Sequence, residues 1–207
     1  MTRRTQGERT AATKKALVSA ARALFASGGF AAVAADAIVR EAGVSRGALY
    51  HQFGDKTHLF AAVFEAVEAE LIERIEALVA NGPAGDPIER MQQAASSWLD
   101  ACQDPAIVRI ALVDAPAVLG WARWREIGDR YGLALAQRLI AQAVAAGHVE
   151  AQPIEPLAYV LIGALRESAL YIAAATDPIR ARAEVGAAIR RIIASLASGA
   201  GAAGGRA

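Results

Sequence analysis

Between Ala42 and Lys56 the chain reads AGVSRGALYHQFGDK, and the residues there that could do chemistry are of the kinds that meet phosphates and base edges. An arginine such as Arg46 can pair bidentately with a guanine or hold a phosphate, and the Tyr50 hydroxyl can donate to a phosphate oxygen. Gly47 is a poor choice for stabilising a helix, because glycine costs about 1 kcal/mol relative to alanine in a helix interior. Gly47 and Ala48 make sense if something large approaches the backbone. Lys56 falls in the first turn of the next helix, where its charge opposes the positive end of the helix dipole. A phosphate at that place would let the lysine and the free backbone N–H groups act together.

These residues need two short helices to position them. A helix over 35–42 ends at Gly43, Val44 turns inward, and Ser45 is suited to cap a second helix over 46–53. That is the form of a helix-turn-helix, whose second helix enters the major groove with its first residues at base edges. Val44, Leu49 and Phe53 make the inward set; Arg46, Gly47, Tyr50 and His51 are left outside. Before this pair, a helix over 9–27 ends at Gly28-Gly29 with Phe30 following, a glycine C-cap pattern. Asp55 caps a long helix over 56–80 with an apolar stripe of Phe60, Phe64, Val67, Leu71, Ile75 and Leu78. NGPAGDP at 81–87 stops any helix, and further helices are expected near 87–102, 105–114, 118–126, 129–147, 154–175 and 178–198.

The fold expected is all-α: a basic mobile arm over 1–8, a three-helix DNA-binding domain over 9–55, a connecting helix over 56–80, a helical body over 81–198, and a disordered tail over 199–207. Arg3-Arg4 in the arm could reach a minor groove or stay solvated. In the tail, Gly199, Gly201 and Gly204 match the dinucleotide fingerprint by letter, but no strand precedes them and no helix follows.

The net charge of +1 conceals an asymmetry: residues 1–60 hold nine Lys+Arg against four Asp+Glu, the remainder thirteen against seventeen. A basic head on a mildly acidic body fits nucleic-acid binding. One cysteine, Cys102, forms no internal disulfide, which points to a reduced, cytoplasmic protein. The apolar run at 153–175 is long enough to span a bilayer, yet Arg166 and Glu167 sit near its centre, so no membrane partner is expected. No H-x-x-x-H, cysteine cluster, G-x-S-x-G or Walker sequence occurs. Zinc, nucleophilic and nucleotide chemistry therefore lack their usual signs, and neither enzyme activity, a metal nor a cofactor is expected.

In the body, Trp98, Trp121, Trp124, Tyr131, Tyr159 and Tyr171 with Arg109, Asp114 and Arg166 are the candidates for lining an apolar ligand pocket. Core packing is the competing role for each of them, and WARWRE could be a turn whose arginines cover aromatic faces. The last two long helices carry more apolar surface than one chain needs, which suits a four-helix interface between two copies.

Over about 50 residues, from Arg9 to Leu59, the chain resembles the DNA-binding domain of TetR-family transcriptional regulators. The resemblance rests on DAIVREAGVSRGALYHQFGDKTHLF, in which the glycine turn, the Leu-Tyr pair, Phe53 and Lys56 fall in register. It implies that Arg46, Gly47, Ala48, Tyr50, His51 and Gln52 contact DNA, beside the Ser45 cap, and that Lys56 meets a phosphate. Ala34 stands where the family usually has a capping threonine, and Gln52 where a histidine is common. The resemblance also implies that 81–198 is an effector-binding and dimerisation domain, and that the chain is a homodimer on a near-palindromic double-stranded operator, paired through the last two long helices. A small apolar or amphipathic effector would release such a repressor by shifting the fourth helix. The alternative is a DNA-binding architectural protein without an effector.

Overall fold

In the computed structural model, residues 5–81 and 85–197 are described. The chain divides into two compact units, one made of the residues up to Ala69 with Asp104–Gly128, the other of Glu70–Gln103 with the residues from Asp129 onward. No strand occurs among the described residues, where Val149 and Ala197 make an isolated antiparallel bridge.

The first unit opens with α1 (Gln6–Ala32). Thr5 Oγ1 accepts from the Glu8 N–H at 3.2 Å while Glu8 accepts from the Thr5 N–H at 2.7 Å. This reciprocal capping box satisfies two of the donors that a helix start leaves open. The helix therefore begins earlier than the arm expected over 1–8 allows; the rest of that arm, with Arg3 and Arg4, lies outside the described residues. Leu17, Ala21 and Phe25 form the buried face of α1. Gly29, at φ 76°, breaks it as the glycine pattern predicts.

Next come α2 (Ala35–Glu41) and α3 (Arg46–Phe53). In the turn between them Gly43 has φ 64°, and Val44 donates to the Val39 carbonyl at 3.0 Å. Ser45 caps α3, its Oγ accepting from the Ala48 N–H at 3.2 Å. α2 has no such cap, because Ala34 offers its first turn no side-chain acceptor. Ala34→Ser is accordingly expected to raise the stability of this unit by about 1 kcal/mol, seen as a higher urea midpoint; an unchanged midpoint would contradict it.

Asp55 accepts from the His58 N–H at 2.8 Å and opens α4 (Lys56–Asn81). The apolar stripe of α4 is buried from Phe60 to Ile75, but Leu78, expected within it, is 53% exposed. The core of the first unit centres on Phe25, Phe30 and Phe60, whose ring centroids lie 5.2–5.6 Å apart. Against α1 packs a segment distant in sequence: α6 (Pro105–Ile107), continuing as a π-helix over Val108–Asp114, then α7 (Ala115–Gly128), kinked at Gly120. Within the stretch 81–198, Asp104–Gly128 therefore falls in the first compact unit and the remainder in the second. The Asp114 carboxylate accepts the Phe30 N–H at 2.9 Å, a donor that the break at Gly29 leaves outside the helical ladder.

The second unit holds α5 (Pro87–Ala101), a π-helical turn Asp129–Leu133 leading into α8 (Ala134–Ala145), α9 (Ile154–Ala174) and α10 (Pro178–Ala194). Asp86 and Asp177 cap α5 and α10, each followed by a proline at the first helical position. Arg182 ties α10 to α5 through Asp100 at 2.7 Å and Ser96 Oγ at 2.8 Å.

Candidate nucleic-acid interface and body cavity

The helix pair buries one side of α3 and leaves the other open. Leu49 is fully buried and Val44 and Phe53 are half-buried, whereas Ser45, Arg46, Gly47, Tyr50 and His51 are exposed; Ala48 and Gln52 lie at the margin. This places the eight sequence-derived residues around one helix and the start of the next. At Gly47 an added Cβ would meet nothing nearer than Ser45 Oγ at 3.9 Å. Nothing inside the protein demands glycine there.

Arg46 is held rather than loose. Its Nη1 donates to both carboxylate oxygens of Asp36 on α2, at 3.1 and 3.3 Å, and its Nη2 donates to the Tyr50 hydroxyl at 3.3 Å. The guanidinium carbon also lies 5.6 Å from the Tyr50 ring centroid. The bond to Tyr50, then the Asp36 charge, hold the arginine's pKa above its ordinary value. Asp36 was not among the expected site residues; a carboxylate ten positions before an arginine, across a turn, is the signal that could have shown it.

Lys56 has work inside the protein that its position in the first turn of α4 does not suggest. Its ammonium donates to the Phe30 and Val33 carbonyls at 2.9 and 3.0 Å and lies 4.0 Å from the Phe30 ring centroid. These carbonyls belong to the end of α1, where a cation is favoured. With the Asp114 contact on its N–H, Phe30 is held on both sides of its backbone. An ammonium has three donors, so one remains for another acceptor.

The second unit contains an apolar cavity of about 60 Å³. Met91, Ala94, Ala95 and Trp98 of α5 form one wall at the i, i+3, i+4, i+7 spacing of a helix face, with Ala136 and Leu139 of α8 among the other lining residues. Of the nine expected pocket residues, Trp98 alone lines it. Arg109 and Asp114 belong to the first unit, where an added Cβ on Gly29 would lie 3.2 and 3.5 Å from their polar atoms. Trp124 is buried in that unit and donates its indole N–H to the Ala111 carbonyl at 3.0 Å. Trp121 is 65% exposed, its ring tilted at 52° to that of Trp124 with Arg125 at 5.4 Å from its centroid, so an arginine does cover an aromatic face in WARWRE, within a helix rather than a turn. Tyr159 donates to Asp129 at 3.0 Å, Tyr171 is exposed, and Tyr131 and Arg166 are half-buried away from the cavity wall.

α9 and α10 carry apolar side chains on the surface of the single chain. Val160, Tyr171, Ile179 and Ile192 are exposed, Ile179 at 82%, while Ile189 and Ile193 of the same stripe face the core. By length and composition α9 could cross a membrane, yet only 28% of its most apolar window is buried inside the chain. No group of residues with metal-ligand character occurs among the described residues.

Two family models match the chain. One, described as bacterial regulatory proteins of the tetR family, covers residues 17–63; the other, described as the tetracyclin repressor-like C-terminal domain, covers residues 88–196, more than half of the chain. The HTH-type transcriptional regulator CymR of Pseudomonas putida is 38% identical over 100 residues, 47% of this chain and 49% of that protein. The HTH-type transcriptional repressor KstR of Rhodococcus jostii (strain RHA1) is 32% identical over 131 residues, 63% of this chain and 59% of that one. The chain thus matches about half the length of these curated relatives. A solved structure from Pectobacterium atrosepticum, described as a TetR-family transcriptional regulator, superposes with a TM-score of 0.80 at 34% identity, covering 95% of this chain and 99% of that one.

Proposed function

The chain belongs to the TetR family of DNA-binding transcriptional regulators, and we propose that it is a dimeric repressor that reads a near-palindromic operator with α3 and is released by a small apolar effector. The observation that carries the DNA-reading part is the exposed face of α3. Arg46, Gly47, Tyr50 and His51 serve no packing need there, and Gly47 keeps the backbone open to close approach. Selecting duplexes from genomic fragments tests it. The expected product is a set of fragments sharing two inverted half-sites about 10 base pairs apart; recovery of no common sequence would overturn it.

The apolar surface of α9 and α10 supports pairing of two copies there, because exposed apolar patches of that kind mark interaction sites. Serving two half-sites requires two copies related by a two-fold axis. The alternative expectation, an architectural protein without effector, has nothing comparable to the cavity in its favour.

The cavity supports an effector that is uncharged and largely apolar. Its roughly 60 Å³ is smaller than the ~300–1,000 Å³ of ligand sites, so an effector of ordinary size must move its walls. Ile72 and Ile75 of α4 are among those walls, and the same helix begins at Lys56 beside α3. A preference of about 1–3 kcal/mol for the opened cavity would change operator affinity roughly 5- to 150-fold. Ala136→Met, which places a flexible side chain in the void, is expected to keep operator binding and abolish release. Release of Ala136→Met by the same compound at the wild-type concentration would contradict the cavity assignment.

A further inference from the structure

The geometry points to Asp36 of α2 as a specificity-determining residue, one that reserves Arg46 for a guanine edge and keeps it from the DNA backbone. This rests on the proposed reading of DNA by α3. Arg46 is the first residue of α3, and α2 supplies the carboxylate that holds it, at 3.1 and 3.3 Å from one guanidinium nitrogen. The pair is open to water, with the side chains 60% and 67% exposed, and exposed pairs of this kind add little to stability. Asp36 also lies in the first turn of α2, where a carboxylate suits the helix dipole. That accounts for an acidic residue on α2; it does not account for the arginine being drawn to it.

Guanidinium has five N–H donors. One meets Asp36 and one meets Tyr50, leaving up to three for DNA. A guanine edge offers two neutral acceptors, O6 and N7, which the arginine can take while Asp36 remains in place. A phosphate is different, because it brings a second anion beside the carboxylate and must compete with it for the same cation. Asp36 therefore raises the cost of every sequence-independent contact by Arg46 and leaves the base contact intact. The Tyr50 hydroxyl fixes the other side of the guanidinium, so the arginine presents one orientation rather than several.

The test compares the operator duplex obtained by selection with a shuffled duplex of equal length, using the full-length protein. Asp36→Asn is expected to tighten binding to the shuffled duplex about 3- to 10-fold and to steepen its salt dependence by roughly one phosphate per subunit, while operator affinity changes less than about 2-fold. A repeated selection with the variant is expected to relax the guanine preference at one position of each half-site. Asp36→Glu, which keeps the charge, is expected to restore discrimination, and in an Arg46→Ala background Asp36→Asn should leave base preference unchanged. An unaltered ratio of the two affinities would overturn the inference, as would an equal loss on both duplexes with a lowered melting temperature, the mark of a purely structural role. Failure of the wild-type protein to bind any duplex would instead overturn the DNA reading itself.

Discussion

Gly47→Glu should leave the protein as stable as before, or more so, and should abolish its binding to every duplex. Both directions follow from one place in the fold. Gly47 is the second residue of α3, whose first turn has no acidic residue, and a side chain there meets only Ser45 Oγ at 3.9 Å. Replacing glycine in a helix gains roughly 0.5–1 kcal/mol, and a carboxylate beside the helix N-terminus adds about 0.3–1 kcal/mol. On DNA the same carboxylate would stand among phosphates. Like charges forced together at an interface cost several kcal/mol, so the loss should reach at least ~100-fold. Thermal unfolding and fluorescence anisotropy with a labelled duplex read the two effects separately. Retention of binding within about threefold would mean that DNA is met by another surface.

Lys56→Met has the second large effect, and it acts on stability first. Methionine keeps an apolar stem against Phe30 but removes the ammonium that meets the Phe30 and Val33 carbonyls and the ring. Hydrogen bonds from charged donors are worth about 1.5–3 kcal/mol each and cation–π contacts about 0.5–1 kcal/mol at exposed sites. Lys56 is only half-buried, so a net loss of about 2 kcal/mol is expected, readable in urea unfolding. Affinity for operator and shuffled duplexes should fall together, and the salt slope should drop by roughly one phosphate per subunit if the remaining donor meets the backbone. Unchanged stability would contradict the clamp on Phe30. A change in sequence preference alone would contradict the phosphate contact.

What was legible in the sequence was local. α3 begins at Arg46 and ends at Phe53 as expected, because its stops are written in neighbouring residues: Gly43 in the turn, Ser45 at the cap, Gly54 after the last turn. The Thr5–Glu8 box was equally local, but the basic residues around it suggested an arm instead. Membership of Asp104–Gly128 in the first unit was not legible, since Asp114 and Phe30 are 84 positions apart and neither type announces the other. The places of the aromatic side chains were not legible for a different reason. Residue type says that a tryptophan is large; the neighbours decide whether it faces a void. Trp98 shares a stripe with Met91, Ala94 and Ala95, whereas Trp124 and Tyr159 are engaged by hydrogen bonds elsewhere.

The exposed face of α3 joins these observations to function, and cleavage protection of the selected duplex by hydroxyl radicals tests it most directly. Two symmetry-related protected patches are predicted on one side of the duplex, their centres one helical turn or about 34–36 Å apart, and both should vanish with Gly47→Glu. A single asymmetric patch, or protection that survives Gly47→Glu, would contradict the account.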